Sequence, residues 1–384
     1  MSIWVVLLMI VCNMTAMKGS KIIITLFSIE LGAPQIIIGF LVGLYSLFPM
    51  ILAITAGKLT DRLGARLPMI VGSLVLSLGL TLPYLFPSTA TLYFQAVLVG
   101  AGHVFYNVSV QNMIGGMSTD KTERTRNFSN FGLAMSTGSF IGPLVAGFAI
   151  DHIGHRYAYL VLAFTPLITA AIMMHAKHLS KPAGAASGKG KQTSEDGSAA
   201  GSFSLLKDNR PLRKALLTGA VLLTGIDLFQ FYMPIYGHHI NLTASQIGIV
   251  LGVFAAASFV VRIWMPAIVA RFGPEKILLS SLFVAATTYL AVPFIDQMYL
   301  LCIVCFILGL GMGCGQPLTL QLIYERAPTG RSGEAIGLRA TLNNFTHIVT
   351  PLAFGALGTA IGVMGVFFAN SLMLVAGGLL IRRK

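Results

Sequence analysis

The sequence predicts an all-α membrane protein, with twelve transmembrane helices arranged in two pseudo-symmetric bundles of six. Of its 384 residues, 55% are hydrophobic and only 10% are charged, which is far too apolar for a soluble domain. Long apolar runs recur along the chain, each close to the about 20 residues that a helix needs to cross a bilayer. The second half of the chain also repeats the glycine spacing of the first half.

We number the predicted membrane-spanning segments as spans 1 to 12. They lie near residues 3–26, 36–56, 68–86, 92–118, 128–150, 157–176, 214–236, 244–268, 276–294, 298–323, 333–360 and 363–381. No charged residue precedes the first apolar run, so we expect it to be a span and not a cleaved signal. An even number of spans places both termini on one side, and Arg382-Arg383-Lys384 predicts that this side is cytoplasmic.

The basic residues are unevenly distributed along the chain. The net charge of +13 would suit a nucleic-acid partner, but most of the 26 Lys and Arg residues fall in the predicted cytoplasmic segments. The exceptions are Lys18, Lys21, Arg156, Arg262 and Arg339. This is the positive-inside pattern of a multi-pass protein of the plasma membrane, the inner membrane in a bacterium. The expected surroundings are therefore a lipid bilayer, with no nucleic acid.

Residues 180–204 are rich in Gly, Ala, Ser and Lys, which is typical of a flexible linker. The next stretch, 203–214, alternates apolar and basic residues and suggests a short interfacial helix. The chain is thus predicted to contain an N-terminal bundle (1–178), a cytoplasmic linker (179–213) and a C-terminal bundle (214–384).

The two predicted bundles repeat each other. Glycines, an arginine and a proline recur at matching places in corresponding spans and loops. The pairs are Gly39 with Gly248, Arg62 with Arg271, Gly64 with Gly273, Gly100 with Gly309, Gly102 with Gly311, Pro143 with Pro351 and Gly147 with Gly355.

The segment 57–66 connects spans 2 and 3. It carries four charges in ten residues, which cannot lie in hydrocarbon, so it predicts a short aqueous hairpin. Its pattern consists of Gly57, Asp61, Arg62, Gly64 and Arg66.

This pattern resembles the loop 2–3 signature of the major facilitator superfamily. In that family the loop is a cytoplasmic gate latch, whose Asp contacts the other half of the protein in one access state. Ala65 is a minor departure, and Ala270 replaces the Asp in the second-half loop. The resemblance implies the superfamily fold, with a substrate site between the bundles near the membrane midplane.

Span 5 carries a second motif, formed by Gly138, Gly142, Pro143 and Gly147. It resembles the span 5 signature of antiporters in the bacterial twelve-span drug and metabolite exporter branch, with Ala146 in place of a further Gly. The alternative is generic packing of small residues. A further departure is Ala96, where drug exporters usually carry an Arg tied to proton coupling.

Charges inside spans are expensive and usually functional. Lys18 in span 1 and Asp227 in span 7 occupy equivalent positions on two helices that the family places across the cavity. We hypothesise that they face each other, and that Asp227 exchanges a proton as its surroundings alternate between wet and dry. The alternatives are a purely structural pair, or a lysine that snorkels outward.

Lys21, Arg262 and Arg339 add further cations within the spans. They indicate affinity for an anionic group on the substrate, or contacts with backbone carbonyls or lipid headgroups.

Two polar ladders support a water-filled cavity. Each repeats every four residues and so occupies one helix face, which in a membrane must face protein or a cavity. The ladders are His103, Asn107 and Gln111 on span 4, and Arg339, Asn343 and His347 on span 11. Either histidine could titrate near neutral pH, although buried histidines are more often simply hydrogen-bonded. Gln230 and the aromatic residues of span 7 could frame a substrate or only pack.

The sequence contains no recognisable arrangement of catalytic residues. There is no P-loop, nucleophile motif or metal-ligand cluster, and the four cysteines lie in apolar spans. We expect neither cofactor nor metal.

The sequence therefore predicts a monomeric secondary transporter that works by alternating access, most simply proton-coupled efflux of small organic molecules. One alternative is uptake of a small organic anion, by proton symport or facilitated diffusion. Another is a non-transporting receptor or scaffold, against which the desolvation cost of the intramembrane charges argues.

Overall fold

The computed structural model describes residues 3–117, 121–175, 209–328 and 332–382, and these residues are almost entirely helical. Spans 1 to 4 are separate helices, and spans 5 and 6 run together with a break at Gly154. Span 10 is divided into two helices, and spans 11 and 12 run together with a break at Gly362. The helices are Ile3–Glu30, Gln35–Leu63, Arg66–Leu85, Thr89–Gly116, Lys121–His175, Arg210–His239, Ala244–Phe272, Pro274–Ala291, Met298–Gly313, Gly315–Arg326 and Ser332–Arg382, with a 3₁₀ turn at Val292–Phe294.

Nine segments of the described chain are long and apolar enough to cross a membrane. Two of them, Asn130–His175 and Leu338–Leu379, each contain two predicted spans. Span 4 is helical from Thr89 to Gly116 but is not among the nine, because polar residues such as Gln95 and Asn107 interrupt its apolar character. The all-helical membrane fold is confirmed.

Glycines with positive φ mark the same turns in both halves. Gly64 (76°) and Gly273 (80°) end spans 2 and 8, while Gly154 (82°) and Gly362 (77°) separate spans 5 from 6 and 11 from 12. Only glycine adopts this backbone region without a steric penalty. The repeat seen in the sequence is therefore also present in the backbone.

Contacts divide the chain into two compact units. The first contains Met1–Gly190 and Pro234–Gly252, and the second contains Lys191–Met233 and Val253–Lys384. Residues 234–252, the end of span 7 and the start of span 8, thus group with the first unit by packing, while in chain order they belong to the second bundle. The bundle boundaries inferred from the linker stay a prediction.

Small residues let helices approach closely inside the first unit. A Cβ at Gly138 would lie 2.4 Å from the Met14 Cβ of span 1, and one at Gly142 would lie 2.9 Å from the Thr15 carbonyl oxygen. Large apolar side chains such as Trp4 and Phe164 are instead exposed, as expected for a surface that faces lipid.

Span 7 begins earlier than predicted. Its helix starts at Arg210, so residues 210–214 extend the span and do not form a separate interfacial helix. Asn209 caps this start, because the backbone N–H of Leu212 donates to its Oδ1 at 3.0 Å. The predicted linker, 180–204, and the first part of the predicted interfacial helix, 203–208, lie outside the described residues.

Candidate transport site

The second unit contains a hydrogen-bonded acid–base pair in its membrane helices. Asp227 of span 7 and His347 of span 11 are joined by 2.6 Å between Oδ2 and Nδ1. The Asp227 side chain is 16% exposed and that of His347 is 34% exposed. A carboxylate and an imidazole at this distance can share or pass a proton, and neither side chain is fully buried.

The other end of the span 11 ladder contacts span 10. The guanidinium of Arg339 donates to the side-chain oxygen of Gln316 at 2.6 Å and to its backbone oxygen at 3.3 Å. Asn343, between Arg339 and His347 on the ladder, is half-buried. The predicted ladder therefore connects a cation at one end with the acid–base pair at the other.

Gln316 was not among the residues that the sequence singled out. A glutamine inside an apolar span was the available signal, and its contact with Arg339 explains its presence there.

A second cluster lies in the first unit. Lys18 and Lys21 of span 1 lie near the imidazole of His103 on span 4. The Nδ1 atom of His103 is buried and has no hydrogen-bond partner among the described residues. The Lys21 ammonium lies 5.9 Å from the centre of the Tyr45 ring, within the range of a cation–π contact. The cluster brings two lysines and a histidine together, and its predicted affinity for an anionic group stays a prediction.

A fully buried network supports that cluster. The side chain of Gln95 donates to the Tyr45 hydroxyl at 2.8 Å, and the Tyr159 hydroxyl donates to the Gln95 oxygen at 3.1 Å. Sequence reasoning missed all three residues. Gln95 could have been found as a polar residue in an apolar span, whereas a tyrosine gives no such signal.

The rest of the span 4 ladder becomes progressively more exposed. Asn107 is half-buried and accepts a hydrogen bond from the side chain of Gln111 at 3.1 Å, and Gln111 is exposed. Gln230, on span 7 of the second unit, is half-buried. Lys18 and Asp227 belong to different units, so their predicted pairing stays a prediction.

The hairpin between spans 2 and 3 is held at both ends. Asp61 accepts a hydrogen bond from the side chain of Asn112 at 3.3 Å. Arg66 donates to the backbone oxygens of Met173 and Met174, at 3.0 and 2.8 Å, which ties span 3 to the end of span 6. Arg62 is exposed. The motif thus has a structural role within the first unit, and its predicted gating role is untested.

The span 5 motif contacts two different helices. The Cβ of Lys18 lies 3.0 Å from where a Cβ at Gly142 would stand, so this glycine makes room for the charged position on span 1. Towards its other end, a Cβ at Gly147 would lie 2.3 Å from the Ala244 carbonyl oxygen, and one at Gly248 would lie 2.5 Å from the Pro143 carbonyl oxygen.

Asp151 anchors the start of span 8 and directly follows the last residue of the predicted span 5, residues 128–150. Its two carboxylate oxygens accept the backbone N–H groups of Ala244 (2.9 Å) and Ser245 (2.8 Å). Partial burial raises the pKa of Asp151, but the hydrogen bonds from residues 243–245 outweigh it and hold the pKa below its ordinary value. A carboxylate at this position also complements the helix dipole.

No group of three or more His, Cys, Asp or Glu residues that could hold a metal ion is found in the described part of the chain. The polar groups of both clusters are instead suited to hydrogen bonding, ion pairing and proton transfer.

Comparison with known proteins agrees with this architecture. The family model of the Major Facilitator Superfamily matches residues 6–351. An uncharacterized MFS-type transporter of Methanocaldococcus jannaschii is 22% identical over 93% of this chain and 91% of its own length. The multidrug efflux pump LfrA of Mycolicibacterium smegmatis is 21% identical over 84% of this chain and 73% of its own length.

A crystal structure of the nucleoside transporter NupG has the same fold. Its TM-score is 0.82 at 11% identity, and the match covers 99% of both chains. At that identity the likeness concerns the fold alone. Because the family model covers nearly the whole length of the sequence, the chain belongs to the Major Facilitator Superfamily, as a multi-pass membrane transporter.

Proposed function

We propose that the protein is a proton-coupled exporter of small organic molecules that works by alternating access. The observation that carries this proposal is the hydrogen bond between Asp227 and His347. A carboxylate inside a membrane protein needs a compensating partner, and this partner can itself hold a proton.

The pair suits coupling because its two members lie on different helices. A proton arriving at Asp227 would weaken its attraction for His347 and so favour a different arrangement of spans 7 and 11. Movement of those helices would in turn change the exposure of the carboxyl group, and burial disfavours the charged form of any carboxyl group. Proton binding and helix movement are then thermodynamically coupled, so that each changes the equilibrium of the other.

Export is favoured over uptake by two features. One is the span 5 motif, with Gly138, Gly142, Pro143 and Gly147, which resembles that of antiporters. The other is the similarity to LfrA, which is a multidrug efflux pump. Because Ala96 stands where drug exporters usually have an Arg, the proposal assigns coupling to Asp227 and His347.

The experiment uses the full chain in proteoliposomes with an imposed pH gradient. An antiporter accumulates a permanently charged quaternary ammonium dye when the lumen is acidic, and it dissipates the gradient as it does so. Such a dye cannot be trapped by protonation, and protein-free vesicles give the background. We expect His347→Gln to lose most of the dye-driven proton flux and His175→Gln, at an exposed position, to retain it. Equal flux in both variants would contradict the assignment.

Uptake of a small organic anion is a second candidate, favoured by the cluster of Lys18, Lys21 and His103. Proton symport of an anion requires the opposite direction of the pH gradient in the same vesicles. An aromatic carboxylate would accumulate when the exterior is acidic, or would equilibrate without proton movement, and the dye would not be transported. The Methanocaldococcus jannaschii relative and LfrA are both named as transporters, which argues against a non-transporting receptor.

A further inference from the structure

The structure contains a cavity of about 240 Å³ between the start of span 7 and the end of span 12, within the second unit. Three basic residues, Arg210, Arg213 and Lys214, line it together with the apolar wall of Leu217, Val221 and Gly377. We propose that this cavity binds the phosphate of an anionic phospholipid. The inference does not depend on the direction or the coupling of transport.

The three basic residues lie at the N-terminal end of the span 7 helix, where the helix dipole is also positive. Arg210 is the first residue of the span 7 helix, and the first turn contains no acidic residue. Basic side chains are unfavourable at a helix N-terminus, where the helix dipole is already positive. An anion in the cavity would be attracted by the side chains and by the helix dipole together.

The surroundings fix this helix start in place. The side chain of Asn209 donates to the backbone oxygen of Arg326 at 2.9 Å, and Arg326 donates to the Pro211 oxygen at 3.3 Å. Arg326 is also paired with Glu275. The carboxylate of Glu275 is thus engaged by Arg326, and the basic turn is held against the end of span 10.

The size and the apolar wall point to a lipid headgroup and away from a free solute. Sites for drug-sized ligands typically measure about 300–1,000 Å³, so this cavity suits a smaller group. Gly377 packs closely on span 7, since a Cβ there would lie 2.7 Å from Val221 Cγ1. Leu217 is 47% exposed beside the cavity, where an acyl chain attached to the bound phosphate could lie. Basic residues beside apolar helix surfaces commonly bind anionic lipid headgroups.

The test measures lipid binding to the full chain in detergent by native mass spectrometry. Phosphatidylglycerol and phosphatidylcholine with identical acyl chains compete for the protein. The variant Arg210→Gln/Arg213→Gln removes two cavity charges. The matched control Arg271→Gln/Lys276→Gln removes two exposed charges from the turn between spans 8 and 9. We expect the parent and the control to prefer phosphatidylglycerol, and the cavity variant to lose roughly tenfold of that preference.

A conservative variant and soluble competitors complete the design. Arg210→Lys/Arg213→Lys should keep the preference, which separates loss of charge from loss of fold. Equal losses in the cavity and control variants would show general surface electrostatics and overturn the proposal. Displacement of phosphatidylglycerol by equimolar glycerol 3-phosphate or inorganic phosphate would also overturn it, because the ligand would then be a soluble phosphate.

Discussion

Single residues fix where the helices of this transporter begin and end. Asp151 binds the first backbone N–H groups of span 8, and Gly64 ends span 2 with a positive φ. Neither role depends on the composition of the neighbouring spans. Both can therefore be tested by substitutions that leave the apolar helices unchanged.

Asp151→Asn should lower the thermal stability of the protein. Asparagine keeps only one acceptor oxygen for the Ala244 and Ser245 N–H groups and loses the attraction of the charge to the helix dipole, which should cost about 1 kcal/mol. Because the pKa of Asp151 is held below its ordinary value, its contribution is complete above the unfolded-state pKa, about 3.9, and is lost as pH falls through the lower folded-state value. The melting midpoints of parent and variant in detergent should thus differ at pH 7 and converge at acidic pH. Asp296→Asn, at an exposed loop position, is the control.

Gly64→Ala should destabilise the protein by about 1–2 kcal/mol, because an L-residue is strained at a φ of 76°. The surrounding space is open, so no steric contact with other residues contributes. Gly57→Ala is the matched control, since Gly57 also has open space but lies inside the span 2 helix. Alanine there should be neutral or stabilising. Chemical denaturation in detergent measures the free energy of unfolding of the two variants. Equal changes in both would contradict the explanation by backbone strain.

At the scale of an element, the glycines of the span 5 motif were recognised in the sequence, but their packing partners were not. The sequence predicted close packing and left open whether the motif does more than that. The structure shows that its glycines face span 1 at one end and the start of span 8 at the other. Helical periodicity alone could not identify these partners, because tertiary contacts choose them.

Gly147→Ala should destabilise the contact between spans 5 and 8. The new Cβ would lie 2.3 Å from a backbone oxygen, which requires a helix to shift, at a cost of about 1–3 kcal/mol. Gly132→Ala on the same helix meets open space and should be neutral or stabilising. Thermal unfolding in detergent should therefore separate two chemically identical substitutions, and matching midpoints for both would contradict the packing account.

At the scale of the whole molecule, the sequence was sufficient to predict the helical membrane fold. The length of the apolar runs and the uneven placement of Lys and Arg can both be read directly from the order of the residues. Sequence reasoning also placed Asp227, Arg339 and His347 among the candidate site residues. It did not predict that Asp227 bonds to His347, since an offset between repeats relates equivalent positions and says nothing about partners within one unit. In the network of Tyr45, Gln95 and Tyr159, only the glutamine gave a signal in the sequence, because buried tyrosines resemble ordinary apolar residues.

The most direct test of the central claim compares exchange with driven transport for Asp227→Asn in proteoliposomes. Asparagine resembles the protonated carboxyl group but cannot release a proton. If Asp227 couples protons to transport, the variant should still exchange labelled dye for unlabelled dye across the membrane. It should fail to accumulate the dye when the lumen is made acidic. Gradient-driven accumulation at the parent level would contradict the account and leave Asp227 with a purely structural role.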